Sequence, residues 1–133
     1  MADFVSALFG RITTAPLVAA DLGARLYPVD KVPQNAMAPY GTYQVISDDR
    51  PVDLKGYSAA RVPRIQYDIY AEKYGVAKRI AENIIAAVAV PGPHSGVQFG
   101  FVKAIGPRDL SADSTLGTLS RASLDLLPEH RVI

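Results

Sequence analysis

Two histidines, His94 and His130, are the only imidazoles in the 133-residue chain, and there is no cysteine. Metal ligation or proton transfer would therefore have to be assembled from these two and from carboxylates. No His-x-x-x-His pair or carboxylate cluster frames either histidine, and His94, between Pro93 and Ser95, reads as an exposed turn residue. Asp48, Asp49 and Asp53 form a local run of carboxylates. They lack the spacing and final glutamate of an EF-hand loop, so a solvated loop is the expectation. Serines occur, but no Gly-x-Ser-x-Gly elbow or Ser-x-x-Lys pair accompanies them. Gly92, Gly96 and Gly100 come after a helical stretch and do not open one, which argues against a phosphate cradle. No catalytic, metal or cofactor site is expected, and the chain does not read as an enzyme.

Seven tyrosines against no tryptophan point instead to recognition by rings. A tyrosine buries a large apolar area while keeping its hydroxyl hydrogen-bonded, which suits protein interfaces. Tyr27, Tyr40, Tyr43, Tyr67 and Tyr70 all fall on or beside expected strands. Tyr67 is expected in the core. Tyr70 fits either a sheet-covering ring or an interface.

The elements that must carry these groups centre on residues 64–88. Ile65, Tyr67, Ile69 and Ala71 alternate with Arg64, Gln66, Asp68 and Tyr70, the period-two pattern of a strand with one buried face. Val76, Ala77, Ile80, Ala81, Ile84, Ile85 and Val88 then follow helical spacing, with Lys78, Arg79, Glu82 and Asn83 on the wet side. Neither apolar face is stable in water, so the helix must fold back onto the sheet. Asp3 is expected to cap a first helix that ends near Gly10, and Thr14 to cap a second, over 15–22, that Gly23 ends. Strands are expected near 26–29, 41–47, 97–105 and 116–127. In 97–105 Val97, Phe99 and Phe101 should share a face, and in 116–127 Ser120, Ala122, Leu124 and Leu126 should be buried. Pro91 to Gly96 reads as a stop and turn. The fold class is therefore α+β, a mixed or antiparallel sheet of four to six strands against one main amphipathic helix plus short N-terminal helices, in a single domain over 1–133.

Two polar connections interrupt this plan, residues 48–61 and 107–115. With Pro51 and Gly56 inside it, the first is either a flexible loop or a projecting hairpin with limbs at 52–54 and 58–62. Charge is nearly balanced, 14 basic against 13 acidic residues, with no basic stripe of the kind nucleic-acid binders carry. The longest apolar run is too short to span a bilayer. No basic leader precedes the first apolar residues, so no signal peptide is expected and synthesis in a cytoplasm is.

Leu26-Tyr27-Pro28, then Pro39-Tyr40-Gly-Thr-Tyr43-Gln44, a polar loop, the 65–70 strand and the 76–88 helix follow one another in an order that resembles the tail-completion, or tail-terminator, proteins of long-tailed phages and prophages. The resemblance covers roughly residues 22–90. Gly41 and Thr42 stand where that family usually has apolar or β-branched residues, which should weaken the start of the second strand. The resemblance implies a structural virion protein made in the host bacterial cytoplasm and placed at the head-proximal end of the tail. Its subunits would form a homo-oligomeric ring, typically hexameric, that caps the tail tube, stops its growth and meets the head-tail connector. The implied partners are further copies of the chain, the major tail tube protein and the connector or neck protein, while DNA would pass through without specific binding. Another neck component, such as a head-closure or adaptor ring protein, is the nearest alternative, and a small ligand- or peptide-binding module a further one. The candidate contact residues are Asp48, Asp49, Arg50, Asp53, Lys55, Tyr57 and Arg61 in the first polar connection, Tyr70 on the central strand, and Arg108, Asp109 and Asp113 in the second.

Overall fold

Strand β5, Val62–Ala71, is the middle of the molecule. The alternation expected of it is realised: Ile65, Tyr67, Ile69 and Ala71 are all buried against the helices. The computed structural model describes residues 3–57, 60–111 and 119–132. Around β5 run β1 (Leu26–Pro28), β2 (Tyr40–Asp49), β6 (Gly92–His94), β7 (Val97–Asp109) and β8 (Ser120–Val132), in the order β1-β2-β5-β8-β7-β6. The sheet is mixed because β1 joins β2 in parallel and the other pairs are antiparallel. Two further strands of two residues each, β3 (Val52–Asp53) and β4 (Gly56–Tyr57), pair only with one another.

Three helices cover one face of the sheet: α1 (Phe4–Thr13), α2 (Pro16–Leu22) and α3 (Tyr74–Ala87). The longest, α3, packs on β5, β7 and β8, and α1 and α2 add to the same core. Leu8 and Ile12 from α1, Val18 and Leu22 from α2, and Ile80 and Ile84 from α3 are all fully buried. Asp3 caps α1 as expected, accepting bonds from the Val5 and Ser6 amides at 3.3 Å. Thr14 does not cap α2. Its hydroxyl turns back to the Gly10 carbonyl at 2.7 Å, α1 runs three residues past Gly10, and Pro16 in the first turn of α2 replaces a side-chain cap. Among the described residues no single helix is long and apolar enough to cross a membrane.

Three strand expectations are corrected by the ladder. In β7 a bulge between Phe99 and Val102 inserts one residue, so the alternation changes phase: Val97, Phe99 and Val102 are buried while Phe101 is exposed. A second irregularity lies between Ile105 and Arg108, and it lets β7 continue through Asp109 where a loop was expected. There the Gly106 backbone passes so close to β8 that a Cβ would lie 2.9 Å from the Ser123 carbonyl oxygen, which only glycine avoids. The stop at 91–96 is itself structured, since β6 pairs with β7 through a two-residue Ser95-Gly96 turn with positive φ at both positions. His94 is consequently a half-buried strand residue with its ring 6.1 Å from that of Phe99.

Gly41 does not weaken β2. It sits opposite Ile69, and a Cβ there would meet Leu26 Cδ1 at 2.8 Å and Ile69 Cδ1 at 2.9 Å. The glycine lets two core side chains close over the strand.

Candidate assembly interface

The polar connection at 48–61 is the outer end of a long hairpin. Strands β2 and β5 stay paired out to Asp49 opposite Val62, and the two-residue β3–β4 hairpin forms the tip. The limbs of the tip are shorter than expected and lie at 52–53 and 56–57. Three anchors hold the root of this arm. Arg61 pairs with Asp48 through one guanidinium nitrogen. Its backbone exchanges bonds of 2.8 and 3.0 Å with His130. The buried His130 ring in turn stacks on Phe4 with centroids 4.3 Å apart. The Arg61–His130 bridge is in register with the β5–β8 ladder, which begins at Ile65–Leu126.

The arm carries apolar side chains in water. Val45 and Ile46 are about half exposed, Val52 is 69% exposed and Leu54 fully so. Asp49, Arg50 and Lys55 are exposed among them. Single exposed apolar residues are ordinary, but four on one hairpin, interspersed with charges, resemble an unpartnered interface core and rim. Sequence reasoning missed these four. The available signal was two aliphatic residues, Val52 and Leu54, placed in a turn that no strand or helix period requires to be apolar.

The sheet face away from the helices holds a lattice of ion pairs across β5, β8 and β7. Arg64 is ion-paired with Asp125, its Nε donating at 3.2 Å, and Arg108 stands 3.8 Å from the same carboxylate. Arg121 donates to Asp68 at 3.0 Å, and Gln66 donates to both oxygens of Asp68 at 3.2 and 3.1 Å. Asp125 and Asp68 are almost wholly covered by these side chains. Beside the lattice Tyr70 stacks on Tyr40 with centroids 5.2 Å apart, and Tyr40 also faces Tyr27. Burial raises the Tyr70 phenol above its ordinary range, with the Arg121 guanidinium opposing the shift and the Asp68 carboxylate adding to it, and burial is also the main cause that raises Tyr67.

The candidate residues thus fall into three places. Asp48, Asp49, Arg50, Lys55 and Arg61 lie on the arm, and Asp53 and Tyr57 lie in its tip strands. Tyr70 and Arg108 lie on the ion-paired face, where Tyr70 already has a ring partner within the chain. Asp109 is exposed at the end of β7, and bonds from the Ser111 amide and hydroxyl hold its carboxyl below the usual range. Asp113 lies outside the described residues. Among the described residues no three or more His, Asp or Glu side chains gather as a metal site would need.

A sheet backed by helices on one side, with a projecting hairpin and an ion-paired opposite face, makes this a small α+β protein. The chain belongs to the family of Tail completion protein gp17, whose model matches residues 6–127. Membership makes it a structural tail protein of the phage type. The same fold occurs in a chain of the solved structure titled "Virion of native gene transfer agent (GTA) particle", with a TM-score of 0.68, 18% identity, and coverage of 96% of this chain and 92% of that one. No curated protein matches the chain.

Proposed function

We propose that the protein is a tail-terminator subunit. Copies of it form a hexameric ring that caps the tail tube, stops its polymerisation and presents a surface for joining to the head. The observation that carries this reading is the arm, two paired strands anchored at Arg61 and ending in exposed Val52 and Leu54, on a member of a tail-completion family. Closing a ring requires two different complementary patches on each subunit. The arm is one. The other must accept side chains more than backbone, because the edge strands β1 and β6 are three residues long and carry Pro28 and Pro93. Arg50, Lys55 and Asp49 set the register of the contact and Leu54 its strength. Arg108, Asp109 and Asp113 face the tube or the connector. DNA passes through the ring without base readout, in keeping with a net charge of +1.

The test is the native mass across a concentration series, with and without purified tail tubes, for the intact protein, for Leu54→Asp and for deletion of residues 50–57. A species of six times the 14.3 kDa subunit mass, lost in both variants, is the expected result. Rings that form equally well without residues 50–57 would remove the arm from the interface. A protein that stays monomeric with tubes present would remove the ring.

A further inference from the structure

Arg11 is a charged residue on the core side of α1, in line with Ala7, Leu8 and Ile12, and only 9% of it is exposed. Its guanidinium carbon stands 5.6 Å above the Phe99 ring, and Nη2 donates to the Val90 carbonyl. Nη1 is buried and has no partner, and among the described residues no carboxylate lies within ion-pairing distance of Arg11. This separates it from Arg61, Arg64, Arg79, Arg108 and Arg121, each paired with an aspartate. A carbonyl dipole and a ring face offset part of the cost of burying a cation, and a counter-charge is what the arrangement lacks.

Arg11 is one of the residues lining a cleft of about 370 Å³ between the α1–α2 corner, the end of α3 and β6. The rest of its wall includes Ala15, Ala87, Val90, Pro91 and His94. We propose that this cleft is a binding site for a monocarboxylate with a short aliphatic body, Arg11 taking the carboxylate and the alanine, valine and proline side chains taking the body. One cation with an amino group already committed to Val90 matches a single negative charge, and the apolar wall disfavours a phosphate that would have to shed its water there. Burial, and secondarily the charge of Arg11, push the His94 imidazole below its ordinary range. This favours the neutral imidazole at pH 7, and Arg11 is then the one charged group among the described residues that line the cleft. The inference does not depend on ring formation.

The test follows backbone and Arg11 Nε–H signals by NMR while isobutyrate, isobutyramide, inorganic phosphate, and acetyl-Ala-Val with a free or an amidated C-terminus are titrated into the full chain. Isobutyrate and the free-acid peptide are expected to give saturable shifts at Arg11, Val90 and His94, while isobutyramide and the amidated peptide give none. Affinity should fall about tenfold or more in Arg11→Met. Ala87→Leu, which fills the cleft and leaves the guanidinium in place, should do the same if Arg11→Met fails to fold. A free-acid peptide that binds more tightly than isobutyrate identifies a polypeptide end as the occupant, and equal binding identifies a free acid. No saturable shift with either carboxylate, equal shifts with the amides, or tighter binding of phosphate would each overturn the proposal.

Discussion

On the helix side of β5 and β8, Ile65, Tyr67, Ile69, Ala122, Leu124 and Leu126 meet the helices with almost no exposure. On the other side of the same strands Arg64, Gln66, Asp68, Arg121, Ser123 and Asp125 cover one another, with no helix over them. Both faces are dry at their centres, but for different reasons. The helix side is held by packed volume, which tolerates other apolar shapes of similar size. The opposite side is held by pairs of opposite charge, and a strand slipped by one residue would place Asp68 and Asp125 among the aliphatic side chains and expose the leucines. Register is therefore enforced from both faces of β8.

Variants of the two faces should separate these contributions. Leu124→Ala, which leaves a cavity among fully buried neighbours, is expected to cost about 2–5 kcal/mol in urea unfolding. Asp125→Ala strands Arg64 and Arg108, but both guanidiniums are about half exposed and water takes up part of the loss. About 1–3 kcal/mol is expected, below the effect of breaking a fully buried pair. If Asp125→Leu proved more stable than wild type, the charge lattice would be a liability to stability and its value would lie in register. Gly41→Ala presses a Cβ on two core methyl groups and should cost about 1–3 kcal/mol, with Leu26→Val restoring part of it.

A smaller effect is expected from pH. The His94 imidazole has its folded-state pKa below the ordinary 6.5, so the unfolded chain binds more protons as pH falls through that value. Stability should then decline below about pH 6.5, level off under the folded-state pKa, and lose this dependence in His94→Gln. Leu54→Asp should change stability least, by about 0.5 kcal/mol or less, since the side chain touches solvent alone. A stability loss comparable to Leu124→Ala would mean that the arm packs on its own subunit, and the contrast between arm and body would collapse.

Periodicity made much of the body legible. The alternation at 65–71, the helical spacing at 76–88 and the buried set Ala122, Leu124 and Leu126 are local patterns with one physical solution each, and all three appear in the structure. The phase of β7 was not legible, because a bulge is set by the partner strand and no residue type announces Phe101 as the exposed one. For the candidate interface, charges were readable in the polar connection but their grouping was not. Asp48 meets Arg61 because β2 and β5 remain paired around them, and Arg108 meets Asp125 because β7 runs past its expected end.

By itself the sequence determined the α+β class, the central strand and its helix, and the order of motifs that marks a tail-completion family. Those features depend on neighbours along the chain, where burial of one face has a fixed period. Tertiary structure alone decided the strand order, the dry second face of β8, the requirement for glycine at position 41, and the burial of Arg11 beside an open cleft. Each of these depends on which distant segments pack together, and the free energy that selects such contacts is a property of the whole fold.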